Sequence, residues 1–599
     1  MLYSCRNFDH MNKVVLLFFL LISTSIKAQF SFEQGEYASF STMRSGVHKI
    51  DGQTLIDQGV LEIGSSLDRI IILHRPEGEL SHLNGMSDGA VIPARYKVID
   101  DDGLLDQNSL LLFYLETPFE MALQDSVYEY EEHAYSEREF VLIGASEQDN
   151  PWQMTAVDEA STVASRTLTE FLQYHVVDSA QTNLIATGRR WFGDLFDFTT
   201  SRDYPLPISS LPNSPVQVDV VAVARANSST TRIEIDGGAS ASFPAVGTNS
   251  VSNYVTERQL SSTLTPASPL NSVTISYDKA GNTGAAMWLD HLVINYFSDN
   301  QYRNTAHYQK RFQNFARNTT DASRLEVEAA TPEELLVFEI SNPTNVREIE
   351  AEISPSTISW RSTEDSLRAY LVIAPSDAFA LRFERKGVLL DLQDFTDVSN
   401  LIIAPDSLMD QATRLADLHQ STGLPSKAVA LEEVYALQNA GTPDIAAIRE
   451  FLYEIYNTPD AALQYLTIFG DASYDYKEKL AERSNLVPTF ESYQSFSLYS
   501  SYITDDYYGY LEDGESLNWF VSDLDIGIGR LPVTNSTSAA AAVDKIERYL
   551  SSSERFGPWR SNAVLVADDA DHAWEKEFAI VQDQLARYLD TARNELELI

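Results

Sequence analysis

Near residue 395 the hydrophobic period of the chain changes, and this change constrains the fold more than any other feature. From Phe30 to about Phe395, apolar residues alternate with polar ones or come in short bursts. Examples are Arg69–Leu73 (RIIIL), Val216–Ala224 (VQVDVVAVA), Thr231–Ile235 (TRIEI) and Val273–Tyr277 (VTISY). Val, Ile, Thr and Tyr at period two, between clusters of Gly, Pro, Asn and Ser, mark half-buried strands. Many such strands at short spacing predict antiparallel sandwiches. Ser/Thr/Asn-rich stretches such as Asn227–Thr231 and Ser240–Ser252 read as loops.

Beyond residue 395, short apolar strands alternate with amphipathic helices. The strands are Leu401–Ala404, Ala428–Leu431, Tyr465–Phe469, Ile526–Leu531 and Ala563–Ala567. A helical stripe of Leu408, Ala412, Leu415, Ala416 and Leu418 follows the first. Thr442 as N-cap and Pro443 at the first helical position open a helix with Ile445, Ile448, Leu452 and Ile455 on one face. Thr537 opens another with Val543, Ile546 and Leu550 inward, and a last one carries Phe578, Val581, Leu585 and Leu589. This alternation predicts a mostly parallel α/β sheet with right-handed crossovers. The fold class is therefore multidomain, with β-rich, sandwich-like domains followed by an α/β domain. At about 150 residues per domain, 599 residues suggest about four domains. The expected segments are 1–28 (signal peptide), 29–150, 151–300 and 301–395 (β-rich), and 396–599 (α/β).

The first 28 residues read as an export signal. Lys13 gives a positive start, Val14–Ile22 is an unbroken apolar run, and Ala28 is a small residue at the cut. The run is too short to span a bilayer. The single cysteine, Cys5, lies in this segment. After cleavage no disulfide, thiolate metal site or thiol nucleophile remains. With 43 basic against 87 acidic residues, the net charge is −44. Such a surface does not suit a phosphate backbone, so nucleic acid is not an expected partner.

No cofactor is required by any motif. There is no Gly-x-Ser-x-Gly, His-Glu-x-x-His, phosphate-binding Gly-x-x-x-x-Gly-Lys or Gly-x-Gly-x-x-Gly. The one cation that so acidic a chain invites is Ca2+. Asp100-Asp101-Asp102-Gly103 with Asp106 reads either as a solvated turn or as a calcium loop. It departs from the EF-hand spacing and lacks the closing Glu. In open α/β sheets the chemistry gathers beyond the carboxyl ends of the strands. The polar residues there are Asp471, then Asp568, Asp569, Asp571 and His572. Thr504–Gly509 precedes the fourth strand.

Phe469–Tyr476 (FGDASYDY) resembles a signature of the gingipain-type cysteine peptidases, and most of all the branch that serves as the sortase of the type IX secretion system. Thr442–Phe451 (TPDIAAIREF), Ile503–Tyr508 (ITDDYY) and Asp525–Val533 (DIGIGRLPV) match neighbouring blocks in the right order. Gly188–Gly193 (GRRWFG), Met287–Asp290 (MWLD) and Ile340–Thr344 (ISNPT) resemble the β-rich half of that sortase. The resemblance implies a caspase-like α/β domain in which an imidazole generates an attacking thiolate. It implies removal of C-terminal sorting domains from exported cargo, and transfer of the cargo to an acceptor such as a lipopolysaccharide at the outer membrane. The implied partners are that cargo and the outer-membrane proteins of the secretion system.

The sequence departs from the family at the nucleophile. None of its ten histidines stands in a Gly-His-Gly, and no cysteine follows the signal. His572 comes one strand too early for the family's histidine. Glu595–Ile599 (ELELI) reads as the opening of a further strand. The expectation is a C-terminally truncated sortase whose catalytic His and Cys lie beyond Ile599. Asp568 and Asp569 are the nearest positions to a third, acidic member that some relatives carry to orient the histidine. The alternatives for these two are a helix cap or a calcium ligand. The other reading of the chain is a non-catalytic surface protein that binds secretion partners.

Overall fold

The computed structural model describes residues 32–76, 78–85, 90–124, 127–146, 152–235, 239–246, 253–303, 305, 307–314, 319–480, 485–515, 523–551, 556–592 and 597–598. The expected signal segment, 1–28, lies outside them.

The β-rich part is three two-layer sandwiches, each built where alternating strands turn one apolar face inward. The first pairs a five-stranded sheet with a four-stranded one. Phe40, Ile50, Ile72, Leu111, Phe113 and Val141 meet between them. Its edge strand Arg382–Val388 comes from far along the chain and pairs antiparallel with Glu36–Thr42. The second joins Val157–Asp158 and Ala164–Leu168 to strands between Lys310 and Ile373, around Trp360. The third lies between Phe171 and Ser298 and is centred on Val216–Arg225, which pairs with Thr256–Leu264 and Ala286–Ser298. Along that strand Val216, Val218, Val220 and Ala222 are all fully buried, as the period-two pattern requires. The sandwiches are thus nested: the third is inserted in the second, and the second in the first.

The α/β domain has four parallel strands in the order Ser426–Ala430, Asn400–Ala404, Tyr465–Phe469, Gly527–Leu531. Helices Met409–Ser421 and Ser536–Ser551 cover one face through Ala412, Leu415, Ala539 and Val543. Helices Leu431–Asn439 and Ile445–Tyr456 cover the other through Val434, Ile448, Phe451 and Leu452. The mostly parallel sheet and its alternating helices follow the sequence reading.

Two local expectations are corrected. The helix after Asn439 begins at Ile445, and its N-cap is Asp444, whose Oδ1 accepts from the Ala446 amide at 2.8 Å. Thr442 is not the cap, because its hydroxyl accepts from the Phe140 amide of the first sandwich at 3.1 Å. Of the expected fifth strand, Ala563–Ala567, only Ala563 is paired, in the short strand Asn562–Ala563. Its partner is Glu597–Leu598, not the four-stranded sheet. Val564 and Val566 are therefore exposed, as are Phe578, Val581 and Leu585 on helix Lys576–Ala592. No helix among the described residues is long and apolar enough to cross a membrane.

Candidate functional site at the carboxyl end of the parallel sheet

Strand Tyr465–Phe469 ends in Gly470 and Asp471. A Cβ on Gly470 would stand 2.9 Å from Val487 Cγ2, so only glycine lets the returning chain approach this closely. Both backbone groups of Asp471 are used: its amide donates to Val533 O at 3.0 Å and its carbonyl accepts from the Leu486 and Val487 amides. The next residues form a braced loop. Buried Asp475 accepts the Lys479 and Leu480 amides, and Tyr476 Oη donates to Thr489 O. The FGDASYDY segment thus turns the chain sharply and presents Asp471 and Tyr474 at the end of the sheet.

A cavity of about 670 Å³ opens there. Asp471, Tyr474, Glu491, Tyr502, Asp505 and Arg530 line it, with Thr187 of the third sandwich at its rim. Arg530, on the last parallel strand, binds Asp505 in a two-point ion pair at 2.8 and 2.7 Å. Its remaining N–H groups reach the carbonyls of Gly470, Val487 and Pro488. One guanidinium therefore ties together the ends of two strands and the segment between them. Glu491 is 2% exposed, and burial pushes its carboxyl up to about 7.

The GRRWFG segment closes the site from the β-rich side. Trp191 stacks on Tyr474, with ring centroids 5.8 Å apart and planes at 20°. The Arg190 amide donates to Ser495 Oγ at 3.1 Å, and Thr187 Oγ1 lies 2.9 Å from Ser501 Oγ. Arg190 is anchored within its own sandwich by Asp290, at 2.5 Å. Arg189 enters a buried junction of three domains. There Glu79, His82 and Tyr135 of the first sandwich meet Asp444 and Arg449 of the α/β domain. Asp444 Oδ2 accepts the Leu80 amide at 2.9 Å, and burial raises its carboxyl to about 7. Glu79 is held down to about 2, against the pull of its burial, by His82, His133 and Arg189.

Asp568 and Asp569 lie elsewhere. Both are exposed, and the Asp569 amide donates to Asp568 Oδ1 at 3.0 Å. His572 is also exposed, and its amide donates to Glu575. Among the described residues no hydrogen bond or ion pair joins Asp568 or Asp569 to a histidine. In the Asp100 loop the carboxylates accept backbone amides: Asp100 those of Asp102 and Gly103, Asp102 that of Leu104, and Asp106 those of Asn108 and Ser109. Among the described residues no three His, Asp or Glu side chains are gathered for a metal ion.

Sequence reasoning placed Asp471 at this end of the sheet and noted the Thr504–Gly509 segment only as preceding the fourth strand. It did not single out Arg530, Glu491 or Arg189. Arg530 and Arg189 lay inside blocks quoted for resemblance, GRLPV and GRRWFG.

Residues 393–597 match the family model of peptidase family C25. The fold is similar to that of dimeric latent PorU from Porphyromonas gingivalis, with a TM-score of 0.71 and 21% identity over 88% of this chain and 50% of that one. The chain thus spans about half the length of that structure. The complex of the RgpB pro- and mature domains, also from Porphyromonas gingivalis, matches at 15% identity over 31% of this chain and 39% of that chain, with a TM-score of 0.20. No curated protein sequence matches.

Proposed function

We propose that this chain forms the β-rich half and the first part of the peptidase domain of a gingipain-like cysteine peptidase acting as a sortase in type IX secretion. The observation that carries the reading is the PorU-like fold running through both the sandwiches and the α/β domain, joined to the family match on the latter. In this reading the protein works at the cell surface, held to outer-membrane secretion proteins. A thiolate attacks the carbonyl before the cargo's C-terminal sorting domain, and an imidazole carries the proton to the departing amine. Backbone amides hold the oxyanion. The thioester then passes the cargo to an amine on an acceptor such as a lipopolysaccharide, provided that the amine arrives before water.

Residues 29–599 contain no cysteine, so the reading requires a thiol and its imidazole from outside them. Asp568 and Asp569 are the carboxylates proposed to orient that imidazole. The test is to read the coding sequence through and past the codon for Ile599. A Gly-His-Gly followed by a cysteine at a strand end supports the peptidase. Replacing that cysteine with alanine should then stop release of sorting domains. A stop codon at that point removes the mechanism. It would favour a non-catalytic surface protein, a reading supported by the exposure of Asp568 and Asp569 without a histidine partner among the described residues.

A further inference from the structure

The hairpin at the mouth of the cavity shows side chains that a surface loop usually hides. Its strands, Phe490–Glu491 and Ile503–Thr504, pair antiparallel, and the Ser492 amide donates to Tyr502 O at 3.0 Å. The turn between them is fixed from within. Ser497 O accepts the Ser501 amide at 2.8 Å. The Tyr254 amide of the third sandwich donates to Phe496 O at 2.7 Å, and the Phe496 ring lies 5.9 Å from that of Phe192. On the outside, Tyr493 is 67% exposed, Leu498 54%, Tyr499 78%, Tyr502 45% and Ile503 60%. Single exposed apolar residues are ordinary, but five large ones on one short hairpin mark an interaction surface. Because the third sandwich already holds the turn, little further ordering has to be met on binding.

Two observations say what covers it. The first is continuity: Tyr502 and Ile503 belong both to the exposed set and to the wall of the cavity beside Asp471, so an occupant of the hairpin leads into the site. The second is charge. Glu131 of the first sandwich, exposed, acts on the Tyr493 hydroxyl, which is raised by burial and, against Arg189, by Glu79 and Glu131. Asp506, also exposed, follows the second strand. The nearby guanidinium groups are committed, Arg189 to Tyr135 and Tyr493 and Arg530 to Asp505. We propose that this hairpin docks an extended polypeptide segment of apolar side chains flanked by basic ones. The apolar side chains lie on the exposed rings, and the basic flanks meet Glu131 and Asp506. The identity of the segment rests on the peptidase reading, in which it is the stretch of cargo beside the bond to be cut; the docking itself needs no thiol. A second copy of the chain would bring the same acidic rim to a self-complementary contact, in a molecule of net charge −44. The same rim repels an anionic membrane.

The experiment is fluorescence anisotropy of three labelled peptides titrated with the chain. The first has a Val-Leu-Val-Leu centre between lysines, the second a Ser-Gly-Ser-Gly centre between lysines, and the third the Val-Leu centre between glutamates. The first should bind at least about tenfold more tightly than either of the others. The double variant Leu498→Ser, Tyr499→Ser should weaken it by about tenfold or more, since both side chains stand in the exposed set. Circular dichroism checks that the variant folds; if it does not, the ranking of the three peptides on the wild-type chain decides. Equal binding of the two lysine-flanked peptides overturns the proposal, and so does unchanged binding in the folded variant. Sedimentation velocity and co-pelleting with phosphatidylcholine vesicles test the other occupants. A dimer or vesicle binding that the same variant abolishes, with no binding of the first peptide, overturns it as well. A failed titration strikes the docking surface alone, because the peptidase reading is decided by the coding sequence past Ile599.

Discussion

Arg189 holds its guanidinium carbon 3.3 Å from the centroid of the Tyr493 ring, while Nη1 donates to Tyr135 Oη at 2.7 Å. One side chain of the third sandwich thereby binds the α/β domain and the first sandwich at once. Nη1 also lies 3.4 Å from His82 Nε2 and 3.5 Å from Glu79 Oε1. The Arg189 side chain is 2% exposed, so its charge is compensated by these contacts rather than by water.

Arg189→Ala should therefore cost about 3 kcal/mol, the range for stripping one partner from a buried charge. Arg189→Lys should recover little, since an ammonium cannot stack on Tyr493 and reach Tyr135 with the same fork. Urea denaturation of the two variants, followed by limited proteolysis near Ala186–Phe192, measures the loss and locates the loosened segment. Wild-type stability in Arg189→Ala would refute the keystone role.

Arg530 supports the end of the parallel sheet. Arg530→Met keeps the stem but leaves the Asp505 carboxylate and the carbonyls of Gly470, Val487 and Pro488 without their donor. The expected loss is about 3–5 kcal/mol. Asp505→Asn should cost less, because the three carbonyl bonds survive. The order of the two losses in thermal unfolding is the check; the reverse order would mean that the ion pair outweighs the carbonyl clamp.

Gly188 has a φ of +76°, and a Cβ there would stand 2.6 Å from Ser495 Oγ and 2.8 Å from the Gln494 carbonyl. Gly188→Ala meets both penalties, a left-handed backbone and a contact with main chain that cannot yield. The expected cost is about 2 kcal/mol, with the GRRWFG segment lifted from the α/β domain. Amide exchange over Gln494–Ser497 should rise in the variant while the centre of the third sandwich stays protected.

How much of this was legible in the sequence follows from the range of each interaction. Asn400–Ala404 and Tyr465–Phe469 could be read because a buried parallel strand is a short, continuous apolar run between helices. Val216–Arg225 could be read because its period-two pattern is local. Thr442 misled, because its hydroxyl goes to the amide of Phe140, 302 residues earlier, and leaves the cap to Asp444. The run Ala563–Ala567 has the composition of a strand, yet pairing beyond Ala563 depends on a neighbour that its own sequence does not specify. Arg382–Val388 returns to pair with Glu36–Thr42, and no local period announces that. At the site, Asp471 was visible as a carboxylate at a strand end. Arg530, Glu491 and Arg189 were not, since their importance lies in partners from other segments.

The acid response should be dominated by buried histidines. Burial holds His48, His74 and His133 neutral and lowers each to about 4 from the ordinary 6.5. In the unfolded chain each binds a proton near 6.5, while the native state does so only near 4. Their stabilisation is full above pH 6.5 and is lost as pH falls from 6.5 toward 4, by up to about 1.4 kcal/mol per pH unit for each. Asp444 and Glu491 act in the opposite sense. Their carboxyls are raised to about 7, so their protonated native forms favour folding at low pH, and that contribution fades as pH rises to 7. His74 isolates the histidine term, because it is 2% exposed and its Nε2 has no hydrogen-bond partner among the described residues. His74→Leu should flatten the fall of the urea midpoint between pH 6.5 and 4 by one proton's worth, whereas Glu491→Gln should steepen it. A His74→Leu profile parallel to wild type would show that this imidazole is protonated in the native state.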